Sequence, residues 1–163
     1  MIIAFTGHRP EKLGGYNSQN PMQVWVFGQL KDTLVRLAPT KCISGMALGV
    51  DQIAARVCSY LKIPWTAAIP FVGQEAIWPC ESQQDYWDLI RKATDVMVCS
   101  SGGHSSEKYQ IRDEWMVDHA DLLVAVWDGT RGGTGNTVKY AKLVKKPIWR
   151  IDPKEKKCYM MEG

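Results

Sequence analysis

Six short apolar runs alternate along the chain with longer segments of mixed polarity. The runs occupy residues 2–5, 42–43, 66–69, 96–99, 122–127 and 148–151. Most of them are continuous apolar stretches without intervening polar positions. That pattern is typical of strands covered on both faces, and it predicts a parallel sheet between two layers of helices.

The segments between the runs carry apolar residues at helical spacing. They predict five helices, around residues 27–37, 50–61, 86–93, 115–120 and 138–143. Regular alternation of strand and helix implies right-handed crossovers. We therefore expect an α/β fold, with a Rossmann-like, doubly wound and mainly parallel sheet in a three-layer α/β/α sandwich. Residues 1–152 form one domain in this interpretation, and residues 153–163 form a short C-terminal tail, either a strand extension or a frayed end.

Composition narrows the class of protein without selecting a function. Hydrophobic residues make up 45% of the 163 residues and charged residues 23%, as in ordinary globular domains. The net charge of +3 is too small to indicate nucleic-acid binding by itself. Five cysteines without a C-x-x-C pair fit a reducing compartment. Neither a signal peptide nor a membrane-length apolar run is visible, so we expect a cytoplasmic protein with no membrane partner.

Metal and cofactor motifs are not found in the sequence. The three histidines lack metal-like spacing, and neither a G-x-G-x-x-G nor a Walker sequence is present. We therefore expect no metal and no resident cofactor. Seven tryptophans supply enough aromatic surface for a homodimer, which we expect.

The segment directly after the first run holds the first candidate ligand contacts, which are Thr6, Gly7 and Arg9. Gly7 permits a tight turn or the close approach of a ligand, and Arg9 offers a planar set of donors to a phosphate or carboxylate. In doubly wound sheets the ligand crevice lies at such strand ends. Alternatively, Arg9 pairs with a nearby aspartate, and His8 is either a structural residue or a base.

A second loop joins the second run to the helix after it and contains two glycines four residues apart. Backbone N–H groups at such a helix start can receive an anion, so Ser44, Gly45 and Met46 are candidate ligand contacts. Asp51, in the first helical turn, could hold a ribose hydroxyl. Attraction to the helix dipole alone also explains a carboxylate at this position.

The most glycine-rich loop follows the most hydrophobic run and opens the fifth helix. Its glycines expose backbone N–H groups, and its threonine and asparagine side chains add donors. This composition predicts a phosphate-binding nest at a helix N-terminus. The candidate contacts are Gly132, Gly133, Thr134, Gly135, Asn136 and Thr137.

Two further loops carry polar or aromatic residues without a single interpretation. After the third run, Phe71 and Trp78 either flank a base or cap the core, and Glu75 could accept hydrogen bonds from hydroxyls. The serine- and glycine-rich loop 100–106 is a lid, a ligand loop or a plain surface loop.

Four segments together give the chain a specific resemblance to a known family. They read TGHRPEKLGG, SGMALGVDQIAA, AIPFVGQEAIWP and WMVDHADLLVAVWDGTRGGTGNTVKYA. They resemble the SLOG superfamily, in the branch of YspA- and YpsA-like proteins of bacteria and phages. The second segment also resembles the Rossmann part of DNA-processing protein A, a single-stranded DNA binder. The last resembles lonely-guy phosphoribohydrolases and nucleoside deoxyribosyltransferases. The resemblance implies a Rossmann-like sheet, a nucleotide-type ligand at the glycine loop and frequent dimers.

The glycine loop departs from both enzyme groups at the position of their glutamate. Aligning Gly132 and Gly133 with the paired glycines of the lonely-guy enzymes puts Lys139 at that position. Aligning Gly133 and Thr134 with the corresponding pair of the deoxyribosyltransferases puts Thr137 there. Without this carboxylate, an oxocarbenium-like transition state loses its nucleophile or its nearby negative charge.

These observations support three hypotheses, in order of preference. The first is a binding or sensing module for a nucleotide or nucleotide-derived ligand. The second is an N-glycosidase acting on nucleoside monophosphates, in which Glu75 or Asp128 stabilises the ribosyl cation while Arg9 and the glycine loop hold the phosphate. The third is a single-stranded DNA binder, which the mild net charge disfavours.

Overall fold

Seven strands and five helices alternate along the chain in the computed structural model, which describes residues 1–162. The strands are β1 (Ile2–Gly7), β2 (Lys41–Ser44), β3 (Trp65–Ile69), β4 (Asp95–Val98), β5 (Leu122–Val126), β6 (Ile148–Asp152) and β7 (Lys157–Met160). The helices are α1 (Pro21–Leu37), α2 (Val50–Tyr60), α3 (Cys80–Ile90), α4 (Ser106–Asp118) and α5 (Gly133–Leu143). A single 3-10 turn, Pro10–Lys12, follows β1.

The strands form one sheet in the order β4-β3-β2-β1-β5-β6-β7. Every neighbouring pair is parallel except β6 and β7, which are antiparallel. The chain runs outward from β1 to β4 and then returns to the other side of β1 at β5. The connections therefore diverge between β1 and β5, at the position where doubly wound sheets bind ligands.

Side chains on the two faces of the sheet pack against different helices. Ile3 and Phe5 of β1 pack in one core cluster with α1, α2 and α3, while the intervening Ala4 packs in a second cluster with α4 and α5. Because successive strand residues point to opposite faces, a continuous apolar run contributes side chains to the core clusters on both faces of the sheet. The predicted three-layer, Rossmann-like α/β/α fold is confirmed.

Two elements differ from the sequence-based interpretation, and the C-terminal segment forms the strand extension that was one of its two expected alternatives. β4 was expected to be covered on both faces, but it lies at the sheet edge, where Val96, Met97 and Val98 are 52%, 40% and 41% exposed. α4 begins at Ser106, about two and a half turns earlier than the predicted helix around 115–120. Residues 153–162 contain β7, which extends the sheet by pairing with β6.

The loops after β1 and β2 interlock at the carboxyl edge of the sheet. Val50, the first residue of α2, donates its N–H to the carbonyl of His8 at 3.1 Å. A Cβ on Gly7 would lie 2.5 Å from Val50 Cβ, so only glycine allows the strand end and the helix start to meet. This contact fixes the position of the β1 loop relative to α2. None of the helices within residues 1–162 is both long and apolar enough to cross a membrane.

Candidate ligand-binding site

A cavity of about 340 Å³ lies at the divergence of the connections around β1. Its wall is built from the β1 loop and the 3-10 turn, the start of α2, one face of α4, and residues 130–135 before and within α5. Four basic and three acidic side chains line it, which are Arg9, Lys12, Arg112, Arg131, Glu11, Asp51 and Asp113. Its size falls at the lower end of the range for small-molecule sites.

A second, larger groove of about 750 Å³ opens between the β1–α1 segment, α2 and α3. It lies on the flank of the sandwich, and its wall includes neither residues 130–135 nor Arg9. The smaller cavity is the better candidate because it lies at the switch point and contains unpaired backbone donors.

The start of α5 supplies those donors. Within residues 1–162, the N–H groups of Gly133, Thr134 and Gly135 have no protein acceptor, whereas the Asn136 N–H donates to the Gly132 carbonyl at 2.9 Å. Gly132 to Gly135 line the cavity, and Asn136 does not. Free N–H groups at a helix N-terminus can receive an anion.

Thr137, which the sequence also suggested as a ligand contact, lies behind the cavity wall. Its side chain is buried, and its hydroxyl is 3.1 Å from Asp113 Oδ2 and 3.0 Å from the Gly133 carbonyl oxygen. It links α5 to α4 and thereby holds the free N–H groups opposite the face of α4 that lines the cavity.

The β1 loop contributes Thr6, Gly7 and Arg9 to the cavity wall. Among the described residues, Arg9 has no carboxylate within salt-bridge distance, and its guanidinium lies 5.8 Å from the centre of the Tyr109 ring. The sequence left open whether this arginine pairs with an aspartate, and the structure leaves it available to a ligand.

His8 ties the β1 loop to the β5 loop. Its Nε2 lies 3.0 Å from both the backbone nitrogen and Oδ1 of Asp128. Burial lowers the pKa of His8 despite the attraction of Asp128, so the ring is neutral at pH 7 and Nε2 can accept the Asp128 N–H. The geometry favours a structural role for this histidine over that of a base.

The loop after β2 reaches the cavity mainly through Asp51. Ser44 donates its hydroxyl to the Asp51 carbonyl at 2.6 Å and accepts the Met46 N–H at 3.2 Å, so both residues shape the loop from behind the wall. A Cβ on Gly45 would lie 2.7 Å from both Arg112 Nη1 and Asp51 Oδ2. The atoms that approach Gly45 closely are therefore protein atoms.

Arg112 is the central residue that the sequence analysis missed. Its guanidinium is buried and donates to Asp113 Oδ1 at 2.7 Å and to the carbonyls of Gly45 and Ala68 at 2.6 and 3.3 Å. Burial by itself would lower its pKa, but the carboxylates of Asp113 and Asp51 raise the pKa of Arg112, so it is a permanent cation. Helical spacing was the available signal, since Tyr109, Arg112 and Met116 share one face of α4.

Asp51 is the only buried carboxylate in the described part of the cavity wall. It is 8% exposed, and burial raises its pKa to about 6 even though Arg112 attracts the ionised form. A raised pKa means that the folded protein disfavours the ionised form of this carboxylate. Such groups are concentrated in functional sites.

The two carboxylates suggested for catalysis lie outside the cavity wall. Asp128 accepts hydrogen bonds from the Thr130 N–H and hydroxyl at 3.0 and 2.6 Å. Burial by itself would raise the pKa of Asp128, but these bonds and the charge of Lys12 help lower it to about 2. Glu75 is buried in the segment between β3 and α3 and does not line the cavity.

Aromatic residues stand beside the cavity on the α4 side. The rings of Phe71, His104 and Tyr109 pack edge to face with centroid distances of 5.6–5.8 Å. Tyr109 lines the cavity, and His104 brings loop 100–106 into the cluster. Trp78 packs on Tyr86 in the core at 5.5 Å instead. Among residues 1–162, no group of three or more His, Cys, Asp or Glu side chains could hold a metal ion.

The fold and this cavity define a Rossmann-like α/β protein in which a glycine-rich helix start lines a cavity at the switch point. The chain belongs to the YspA SLOG family, whose model matches residues 3–155. An uncharacterised SPbeta prophage-derived protein, YoqJ of Bacillus subtilis strain 168, is 32% identical over 129 residues, which are 68% of this chain and 75% of that protein. A UPF0398 protein of Bacillus cereus strain G9842 is 25% identical over 147 residues, and the match covers 82% of this chain and 77% of that protein.

Solved structures with the same fold come from two kinds of protein. The structural-genomics target TM1055 superposes with a TM-score of 0.60 at 16% identity, covering 90% of this chain and 71% of that one. DNA processing protein A from Helicobacter pylori, studied for its single-stranded DNA binding mode, gives a TM-score of 0.66 at 17% identity, covering 93% of this chain and 65% of its own. These similarities establish the shared fold.

Proposed function

We propose that this protein binds a nucleotide or nucleotide-derived ligand, with a phosphate group at the start of α5. The observation that carries the proposal is the set of three N–H groups, on Gly133, Thr134 and Gly135, that reach the cavity without an acceptor in residues 1–162. Arg9 adds a guanidinium that has no carboxylate within salt-bridge distance among residues 1–162. Helix N-termini with such free donors favour phosphate because both the hydrogen bonds and the helix dipole attract negative charge.

The positions of Glu75 and Asp128 disfavour the N-glycosidase mechanism in which one of them stabilises the ribosyl cation. A carboxylate in that role must lie beside the sugar, and neither of these two lines the cavity. The pKa of Asp128, near 2, also rules it out as a proton donor at neutral pH. A small nucleotide suits a cavity of about 340 Å³ with both basic and acidic side chains better than a DNA strand, which needs an extended basic groove.

Replacing Gly133 with proline tests the phosphate site directly. Gly133 is the first residue of α5, and a side chain there would meet no atom within 4 Å. Proline is tolerated at this helical position, because it removes only an N–H that has no partner in the helix. We expect Gly133→Pro to weaken the binding of adenosine nucleotides, measured by isothermal titration calorimetry, by about tenfold or more.

Gly133→Ala is the matched control, since it adds a methyl group and keeps the N–H. We expect it to bind within about twofold of wild type, as surface substitutions usually do. Equal affinities of the proline and alanine variants would show that the N–H group at the start of α5 does not bind the phosphate. A wild-type protein that binds neither nucleotides nor inorganic phosphate would overturn the proposed function.

We further propose that the protein is a homodimer that pairs through the β4 edge. Exposed edge strands with apolar side chains are templates for pairing with a second strand. We expect sedimentation equilibrium to give twice the mass of one chain, and Val96→Lys to give the monomer. Val24→Lys on α1 is the control, because both valines are 52% exposed. A monomeric wild type, or a dimeric Val96→Lys variant, would contradict this interface.

A further inference from the structure

The carboxylates that line the cavity differ in how many of their oxygens are occupied. Both oxygens of Asp113 are taken, by Arg112 Nε at 2.7 Å and by the Thr137 hydroxyl at 3.1 Å. Glu11 lies exposed at the rim and accepts from the Tyr16 hydroxyl at 2.9 Å. Asp51 accepts one long hydrogen bond, from the Ala47 N–H to Oδ2 at 3.3 Å.

The other oxygen of Asp51 is unpartnered and faces the cavity. Within residues 1–162, Oδ1 accepts no hydrogen bond. The solvent-inaccessible side-chain atoms without a partner are Thr66 Oγ1, Gln74 Oε1 and Trp149 Nε1, so Oδ1 retains some accessible surface. Because the Asp51 side chain is otherwise buried and lines the cavity, Oδ1 is reachable only from that side. A buried acceptor without a donor is unfavourable unless a ligand supplies one.

The charges around Asp51 decide what kind of donor fits. Arg112 and Asp51 both approach Gly45, Asp113 pairs with the same guanidinium, and Arg9 also faces Asp51, so the two carboxylates are balanced by two cations. An ionised phosphate has only acceptor oxygens, so it cannot supply the hydrogen bond that Asp51 Oδ1 lacks. A neutral hydroxyl can donate to Asp51 and also accept from Arg112, whose Nη2 has no partner within the described residues.

We propose that the cavity selects ribonucleotides over deoxyribonucleotides because Asp51 accepts a hydrogen bond from a ribose hydroxyl. This inference rests on the proposed function, in which the phosphate occupies the N–H groups of Gly133 to Gly135. Both sites belong to one cavity of about 340 Å³, a volume suited to a single nucleotide. A polar site built around a hydroxyl rejects the analogue that lacks it, because its own groups are then left unpaired.

The test compares ligand pairs that differ only in the 2′-hydroxyl. The probes are adenosine and 2′-deoxyadenosine 5′-monophosphates, with ribose 5-phosphate and 2-deoxyribose 5-phosphate as base-free pairs, titrated into the wild-type protein by calorimetry. We expect each ribose compound to bind at least tenfold more tightly than its deoxy counterpart. This comparison uses the wild-type protein, so no variant has to fold.

Asp51→Asn then assigns the preference to one residue. We expect it to reduce the ribose preference to within about threefold, because a neutral amide oxygen accepts a hydrogen bond less strongly than a carboxylate. Asp32→Asn, at an exposed position on α1, is the control and should keep the wild-type preference.

Each result separates the two proposals. Equal wild-type affinities for ribose and deoxyribose compounds would overturn the selectivity and leave phosphate binding standing. A ribose preference that survives in Asp51→Asn would overturn the role of this residue. No binding of any probe would overturn the proposed function and the selectivity together.

Discussion

Replacing Arg112 with methionine is expected to lower the free energy of unfolding by about 3–5 kcal/mol. The substitution keeps an apolar chain of similar length but removes the only cation that faces Asp51 and Asp113 from α4. It also removes the donors to the Gly45 and Ala68 carbonyls, which hold the loop after β2 against β3. Breaking one side of a buried ion pair is costly because the remaining charge stays buried without compensation.

Urea denaturation of the two proteins at pH 7 measures this loss. Arg91→Met is the matched control, because Arg91 is 68% exposed and pairs only with Asp88 one helical turn away. We expect the control to change stability by less than about 0.5 kcal/mol. A loss below about 1 kcal/mol for Arg112→Met would show that other groups, or water, compensate Asp51 and Asp113.

The sheet illustrates how far apolar patterning determines a fold. The runs at 66–69 and 96–99 have similar apolar composition, and both form parallel strands. Their burial differs, because β3 lies inside the sheet while β4 lies at its edge. Strand order depends on which helices pack on which face, and the local pattern of a single run does not contain that information.

The first turns of α4 were not predicted because the buried face of this helix carries polar residues. Its buried side includes Arg112 and contacts the cavity through Tyr109 and Asp113, so its first turns lack the apolar stripe on which the prediction relied. Only the end of the helix, near Met116, shows ordinary apolar spacing. A buried charged residue is rare, and apart from the neighbouring Asp113 the partners of Arg112 are the carbonyls of Gly45 and Ala68, which helical spacing does not identify.

The candidate site was predictable where it depends on local chemistry. Glycine density and polar capping residues indicated the start of α5, and Gly132 to Gly135 do line the cavity. Gly7 was interpreted as allowing a tight turn or the close approach of a ligand, and Gly45 as a candidate anion contact; in the structure the close neighbours of these glycines include Val50 and Arg112. A glycine is needed both where a ligand and where another protein atom approaches the backbone closely, so its presence in the sequence does not distinguish the two cases.

Asp51→Asn is expected to stabilise the protein by up to about 3 kcal/mol at pH 7.5. Burial raises the pKa of Asp51 from 3.8 to about 6 in the folded protein. Below pH 3.8 the carboxyl group is protonated in both states and has no effect on this difference. As the pH rises through 6, the unfolded chain ionises this group more readily, so the wild type progressively loses stability that the asparagine variant retains.

The difference in unfolding free energy between variant and wild type, measured by urea denaturation from pH 4.5 to 8, should therefore increase with pH and level off above about pH 6.5. The other charged groups that face Asp51, namely Arg112, Asp113 and Arg9, are present in both proteins, so their direct contributions largely cancel. A difference in unfolding free energy that does not change with pH would mean that the ionised Asp51 is as stable in the folded protein as in the unfolded chain. An increasing difference would mean that the fold retains an unfavourable carboxylate, as expected when a ligand, and not the protein, provides its missing hydrogen-bond donor.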